Sequence, residues 1–272
     1  MEFIEAFVLG IVQGITEFLP ISSTAHLLIV TKVFAWKDLG SKDFVDAIQF
    51  GSVVAVLIYF WSDISTLIKG GIKAITEKDW QREEWKILVG IAVGTLPALV
   101  IGFLLKDFIP ETPLVIGIIS IIMALLLGLA EKVGSRKRGF NLLQISDGIL
   151  VGLGQTIALI PGASRSGSTL TTGLFLGLER PTAARFSFLL GLPTLAIATL
   201  YKSLKIFTEI QQLPNNIIGL LIVGIISTFI FSYLSIAFLL RFLQTNDNWI
   251  FVWYRLAFGS ALLIAIATGW KA

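Results

Sequence analysis

The chain has 272 residues, 55% of them hydrophobic and only 14% charged, with a formal net charge of +3 and no cysteine. A soluble globular domain carries roughly a quarter of its residues as charges, so this composition excludes that class and makes lipid the solvent of most of the chain. Without cysteine there are no disulfides, zinc thiolates or thiol nucleophiles, and no nucleic-acid partner is expected.

In chain order, the stretch 3–36 is apolar but broken by Gln13, Glu17, Pro20 and the run Ser22-Ser23-Thr24, and it reads as a re-entrant helical hairpin. Glu2 and Glu5 stand where a signal peptide would be basic, and no cleaved leader is expected. A spanning helix needs about 20 mostly apolar residues. Six runs qualify, at 44–62, 86–105, 114–130, 183–204, 215–240 and 249–269, with Trp61, Trp249 and Trp270 near their ends as interfacial aromatics. The segment 63–86, with Trp80 and Trp85 among charges, reads as a helix lying on the membrane surface. A second broken apolar stretch, 142–178, reads as a second hairpin. The expected fold class is therefore an all-α integral membrane protein with six transmembrane helices plus two re-entrant helical hairpins.

Lysine and arginine set the expected orientation. Loop 63–86 carries Lys69, Lys73, Lys78, Arg82 and Lys86, and loop 131–141 carries Lys132, Arg136, Lys137 and Arg138, whereas Lys106 is the only basic residue of 106–113. The positive-inside rule puts the first two loops in the cytoplasm and both chain ends outside. The order of one hairpin and three spans occurs twice, over 1–130 and 142–270 of a single membrane domain, and the copies start on opposite faces. That order is an inverted repeat, an architecture that brings broken hairpin tips together near mid-membrane. Gly10-Ile11-Val12-Gln13 before Pro20-Ile21-Ser22-Ser23 is echoed by Gly152-Leu153-Gly154-Gln155 before Pro161-Gly162-Ala163-Ser164.

The hairpins carry the polar chemistry. Gln13 and Glu17 are four apart and share one helix face. A charge at the bilayer centre costs about 2.5 to 3.5 kcal/mol even on the lenient insertion scale, so Glu17 needs a partner such as a cation, unless it caps backbone of its own loop. His26 is the only histidine, and it follows Ser22, Ser23 and Thr24. Those hydroxyls can cap a helix start, and a capped start also presents N–H groups to an anion. The second tip reads Pro161-Gly162-Ala163-Ser164-Arg165-Ser166-Gly167-Ser168-Thr169. Its small residues, four hydroxyls and planar guanidinium suit a phosphate cradle, although it lacks a Walker loop's ending. Asp46, Gln49, Gln155, Arg185 and Ser187 are left undecided, and Arg255, beside Trp253 and Tyr254, is read as an interfacial anchor.

The run from Glu17 to His26 and the run from Pro161 to Thr169 resemble the two signatures of the undecaprenyl-diphosphate phosphatase family, also called the bacitracin-resistance proteins. The similarity extends to Ile48-Gln49-Phe50-Gly51 and Arg185-Phe186-Ser187-Phe188-Leu189-Leu190. It implies removal of the terminal phosphate of a C55 isoprenyl diphosphate, recycling the lipid carrier of cell-wall synthesis, in the bacterial inner membrane with the site open to the outer side. It also implies a divalent cation, Mg²⁺ or Ca²⁺. Gln13 stands where many members have a second glutamate and Ala25 where glycine is common; the first departure implies less negative charge at the metal site. On that resemblance Glu17 and Gln13 hold the metal. Ser22, Thr24, Ser164, Arg165, Ser166, Gly167, Ser168 and Thr169 bind phosphate, and Ser23, His26, Glu17 and Arg165 are the catalytic set. Ser23 is the leading nucleophile, with His26 as its base and direct attack by His26 the rival. The non-enzyme alternative is a transporter or flippase of polyprenyl phosphate, which explains a midplane pocket but not hydroxyls beside a histidine. Partners are the lipid substrate and the bilayer; a homodimer is left open.

Overall fold

A computed structural model describes residues 1–36, 39, 42–105, 111–209 and 216–270. Lys106 and most of its loop lie outside them. All regular elements among the described residues are helical; the one ladder contact is an isolated bridge between Arg138 and Leu178.

Helix α1, Glu2–Phe18, starts with Glu2 and Glu5 against its positive end and stops where Leu19, held extended ahead of Pro20, leaves the helical region. Helix α2, Ser23–Val33, completes the first hairpin. The expected span 44–62 is broken into α3 (Lys42–Ile48) and α4 (Phe50–Tyr59), and after Phe60 the chain turns by 64° into α5, Trp61–Glu77. The surface helix expected at 63–86 thus begins two residues earlier and is closed by left-handed Lys78. Its Gly70 and Gly71 lie against Glu84 and Leu88 of α6, Glu83–Leu105, while Ile68, Ile72 and Ile75 stay exposed. Helix α7 is Pro113–Val133, with Thr112 as N-cap and proline at its first position, where the missing N–H costs nothing.

The second hairpin is α8 (Ile145–Gln155), a 3₁₀ turn (Thr156–Leu159) and α9 (Arg165–Phe175). Then follow α10 (Arg180–Glu209), α11 (Ile217–Thr245) and α12 (Trp249–Ala267). Among the described residues five helices are long and apolar enough to cross a bilayer, α6, α7, residues 180–201 of α10, α11 and α12; the bent pair 43–59 and 61–77 makes a sixth only if counted as one span. Their outward faces are apolar, as at Val100, Ile122, Leu125, Ile226 and Phe238, while Gln13, Glu17, Ser166, Thr169 and Arg255 are buried inside. The molecule is a multi-pass membrane protein with a polar interior.

Glycines set the helix pairing. A Cβ at Gly10 or Gly14 of α1 would collide with the backbone and small side chains of α11 at Gly224, Ser227 and Thr228. One at Gly148 or Gly152 of α8 would collide with Gly90 and Gly94 of α6. In lipid, with no hydrophobic drive between helices, such close approach is what holds a pair together. Gly117 and Gly259 do the same for α7 and α12.

One end of the bundle is pinned by charge. Buried Glu131 accepts from Arg136, Arg180 and the Asn248 amide, joining α7, α10 and α12. Arg138 forms a fork on Asp147 at 2.6 and 2.8 Å, and Asp147 also caps α8. That hydrogen bond holds the Arg138 guanidinium above its ordinary pKa. Arg185 pairs with Asp63 and lies 4.1 Å over the Phe140 ring, a structural assignment.

Candidate active site

Both hairpin tips use one device. Ser22 and Ser164 are N-caps with φ of 77° and 73°, and their hydroxyls accept from the N–H of Ala25 at 3.4 Å and Gly167 at 3.1 Å. Non-glycine residues in this region cost roughly 1–3 kcal/mol and persist only where surrounding contacts over-determine them. The result is two helix starts, α2 and α9, aimed into one cavity of about 190 Å³.

Glu17, Ser22, Ser23 and Thr24 of the first tip and Ser164 and Arg165 of the second all line that cavity. Glu17 is the hub. One carboxylate oxygen accepts from Ser23 Oγ at 2.7 Å and Gln13 Nε2 at 3.0 Å, and the other from Arg165 Nη2 at 3.3 Å. The cation that a buried glutamate needs is supplied from 148 residues away. Arg165 keeps Nε and Nη1 buried with no hydrogen-bond partner among the described residues, Nη1 lying close against Gly191 of α10. An unsatisfied buried donor costs about 1–3 kcal/mol, more when charged, unless a ligand accepts from it. Across from these groups stand Gln49, Gln155 and Thr194; Gln155 Nε2 donates to Thr194 Oγ1 at 3.1 Å, and Gln155 Oε1 is buried and unpartnered.

The remaining expected residues are placed behind the cavity wall. Ser166 Oγ donates to Leu19 O at 3.0 Å and shares 3.1 Å with Ser164 Oγ, so it ties the tips together instead of facing a ligand. Gly167 supplies the N–H that Ser164 caps, Ser168 is buried, and Thr169 bonds Arg165 O and Ser187. Gln13 sits behind Glu17 with its amide N–H turned to the carboxylate.

A profile of the family described as "Bacitracin resistance protein BacA" matches residues 6–261. The chain belongs to that family. The matched BacA region contains the second hairpin, the first from residue 6 onward, and every residue that lines the cavity. An "Undecaprenyl-diphosphatase" of Thermosynechococcus vestitus is 55% identical, covering 98% of this chain and 97% of that protein. Proteins of the same name from Trichormus variabilis and Synechococcus elongatus are each 50% identical, covering 99% and 97% of this chain and 85% and 93% of theirs.

In this BacA-family chain the pairing of Ser23 with His26 as base needs correction. His26 Nδ1 lies 2.7 Å from Ser22 O, and a carbonyl only accepts, so Nδ1 carries the proton. Nε2 then accepts from Tyr254 O–H at 2.6 Å, and the ring stacks on Phe258 at 4.6 Å. Ser23 is the first residue of α2, and its hydroxyl reaches back to Glu17 on the preceding helix; spacing along α2 therefore does not decide its partner. Arg255 is also no interfacial anchor: it is 1% exposed and grips backbone carbonyls of both tips. Its signal in the sequence, a charge in an apolar run, was masked by flanking Trp253 and Tyr254. Thr194 gave no signal, and Gln155, left undecided above, had one in its echo of Gln13.

Proposed function

We propose that this chain is an undecaprenyl-diphosphatase that removes the terminal phosphate of the C55 lipid diphosphate. The observation that carries this reading is the Glu17 carboxylate bonded to both Ser23 Oγ and Arg165 Nη2 at the wall of one cavity. Arg165 and the N–H groups at the starts of α2 and α9 bind the diphosphate. Ser23 Oγ attacks the terminal phosphorus, its proton passes to Glu17, the anhydride P–O bond breaks, and the lipid monophosphate takes that proton from Glu17 as it leaves. Water, deprotonated by Glu17, then cleaves the phosphoserine, and inorganic phosphate departs. Because the Arg165 fork already lies beside the reacting group, charge building in transfer meets preplaced donors. His26 holds the Ser22 turn and orients the tip.

A divalent cation fits as a ligand shared with the substrate. Among the described residues no three His, Cys, Asp or Glu side chains gather as a metal site, and Glu17 is the acidic group of the cavity. Glu17, with the unpartnered Gln155 Oε1 and with Gln13 behind it, would hold Mg²⁺ or Ca²⁺, hard cations that take oxygen ligands. When bound, the ion neutralises the diphosphate.

The finer architecture belongs to the same proposal: halves 1–130 and 142–270 form an inverted repeat, hairpins 3–36 and 142–178 are re-entrant, and six spans cross a bacterial inner membrane. The matching caps at Ser22 and Ser164 support it, as does exchange of partners, α1 of the first half on α11 of the second and α8 of the second on α6 of the first. The cavity faces the outer side, and the basic loops face inward. Purified chain given undecaprenyl or farnesyl diphosphate with Mg²⁺ should release phosphate, and a chelator should stop it. Absence of release in an otherwise folded preparation overturns the reading.

A further inference from the structure

Arg255 lies in the middle of α12, is 1% exposed, and makes no ion pair with a carboxylate among the described residues. Its guanidinium instead donates to four backbone carbonyls. Nη1 reaches Pro20 O at 2.9 Å and Ala163 O at 3.1 Å, Nη2 reaches Gly162 O at 2.8 Å, and Nε reaches Ser120 O of α7 at 3.4 Å. Pro20 precedes the positive-φ Ser22 by two residues; Gly162, itself at φ 93°, and Ala163 precede the positive-φ Ser164. One side chain therefore holds carbonyls of both turns that lead into the helix starts.

Packing alone does not call for an arginine here. A methionine or leucine would fill the volume without taking a charge out of water. What only a planar five-donor fork supplies is simultaneous hydrogen bonding to acceptors on separate strands of chain. We propose that Arg255 is a positioning residue: by clamping both tips it sets the spacing between Ser23 with Glu17 on one side and Arg165 on the other. Ser166 is an independent tether across the same gap, its hydroxyl donating to Leu19 O and Glu17 O.

This inference rests on the phosphatase reading, and the two fail separately. Phosphate release by the parent chain tests the reading, and a parent that releases none ends both. With an active parent, kcat and KM are measured for Arg255→Lys, Arg255→Met, Ser166→Ala and the Arg255→Lys/Ser166→Ala pair, each checked by its melting midpoint in detergent. Because a displacement of about 1 Å can cost about 100-fold in rate, Arg255→Met should lower kcat about 100-fold and Arg255→Lys about 10-fold, with KM nearly unchanged. The pair should depart from the product of its single effects by about threefold or more, as tethers across one gap must. Parent-like kcat in a folded Arg255→Lys, a loss confined to KM, or strictly multiplicative losses in the pair overturns the inference. Should Arg255→Met fail to fold, the lysine variant and the pair decide.

Discussion

Replacing Glu17 by glutamine separates the two jobs this side chain holds. The amide keeps the shape and can still touch Gln13 and Ser23, but it removes what is, among the described residues, the only acidic partner of Arg165, whose side chain is 15% exposed against 5% for Glu17. Breaking a pair this buried by deleting one partner costs about 3–5 kcal/mol, because the surviving charge is left uncompensated. The amide is also no base, and loss of a positioned base lowers turnover about 10²- to 10⁴-fold. The second substitution, Arg165→Met, removes the stranded charge. Glu17→Gln/Arg165→Met should thus melt higher than Glu17→Gln alone while remaining as inactive. Melting in detergent and phosphate release on the same preparations give both readouts. A double variant less stable than Glu17→Gln, or Glu17→Gln with parent-like turnover, refutes the reasoning.

Other substitutions follow from the same geometry. His26→Ala should cost about 10-fold in kcat, the value of about one hydrogen bond steadying the Ser22 turn, and not the several orders expected of a base; a quench assay of turnover checks it. Gly152→Leu should prevent folding, since its side chain would enter the backbone of Gly94, and yield of monodisperse protein reports this. Arg138→Gln should lower the melting midpoint by an amount that does not vary across neutral pH. Asp147 holds the Arg138 pKa above its ordinary value, so the contribution is fully present below the ordinary arginine value and is lost only as pH rises through the higher folded one. A loss that fades within the neutral range contradicts that assignment.

The hairpins were legible because proline, glycine and hydroxyl runs inside apolar stretches have few uses in lipid other than a broken helix around a polar site. Glu17 announced its need for a cation, and Arg165, the charge in the other broken stretch, met it. The bend at Phe60 was not legible: apolar residues continue to Trp61, and the direction of α5 is decided by its glycine contacts with α6. His26 follows Ser23 by three residues, on the same helical turn, but the donor at a helix start can turn back to the preceding element, and Ser23 does. Arg255 was misplaced for a related reason. A cation satisfied by carbonyls has no complementary residue in the sequence, so its partners emerge only when the two tips are brought beside α12.

The convergence of Ser23, Glu17 and Arg165 is tested most directly by following the transferred phosphorus. Substrate labelled in its terminal phosphate is mixed with excess enzyme, quenched within one turnover and mapped by peptide. The account predicts an acid-stable label on Ser23 that is absent from Ser23→Ala and depleted in Glu17→Gln. An acid-labile label on His26, or turnover with no labelled protein at any quench time, would contradict it.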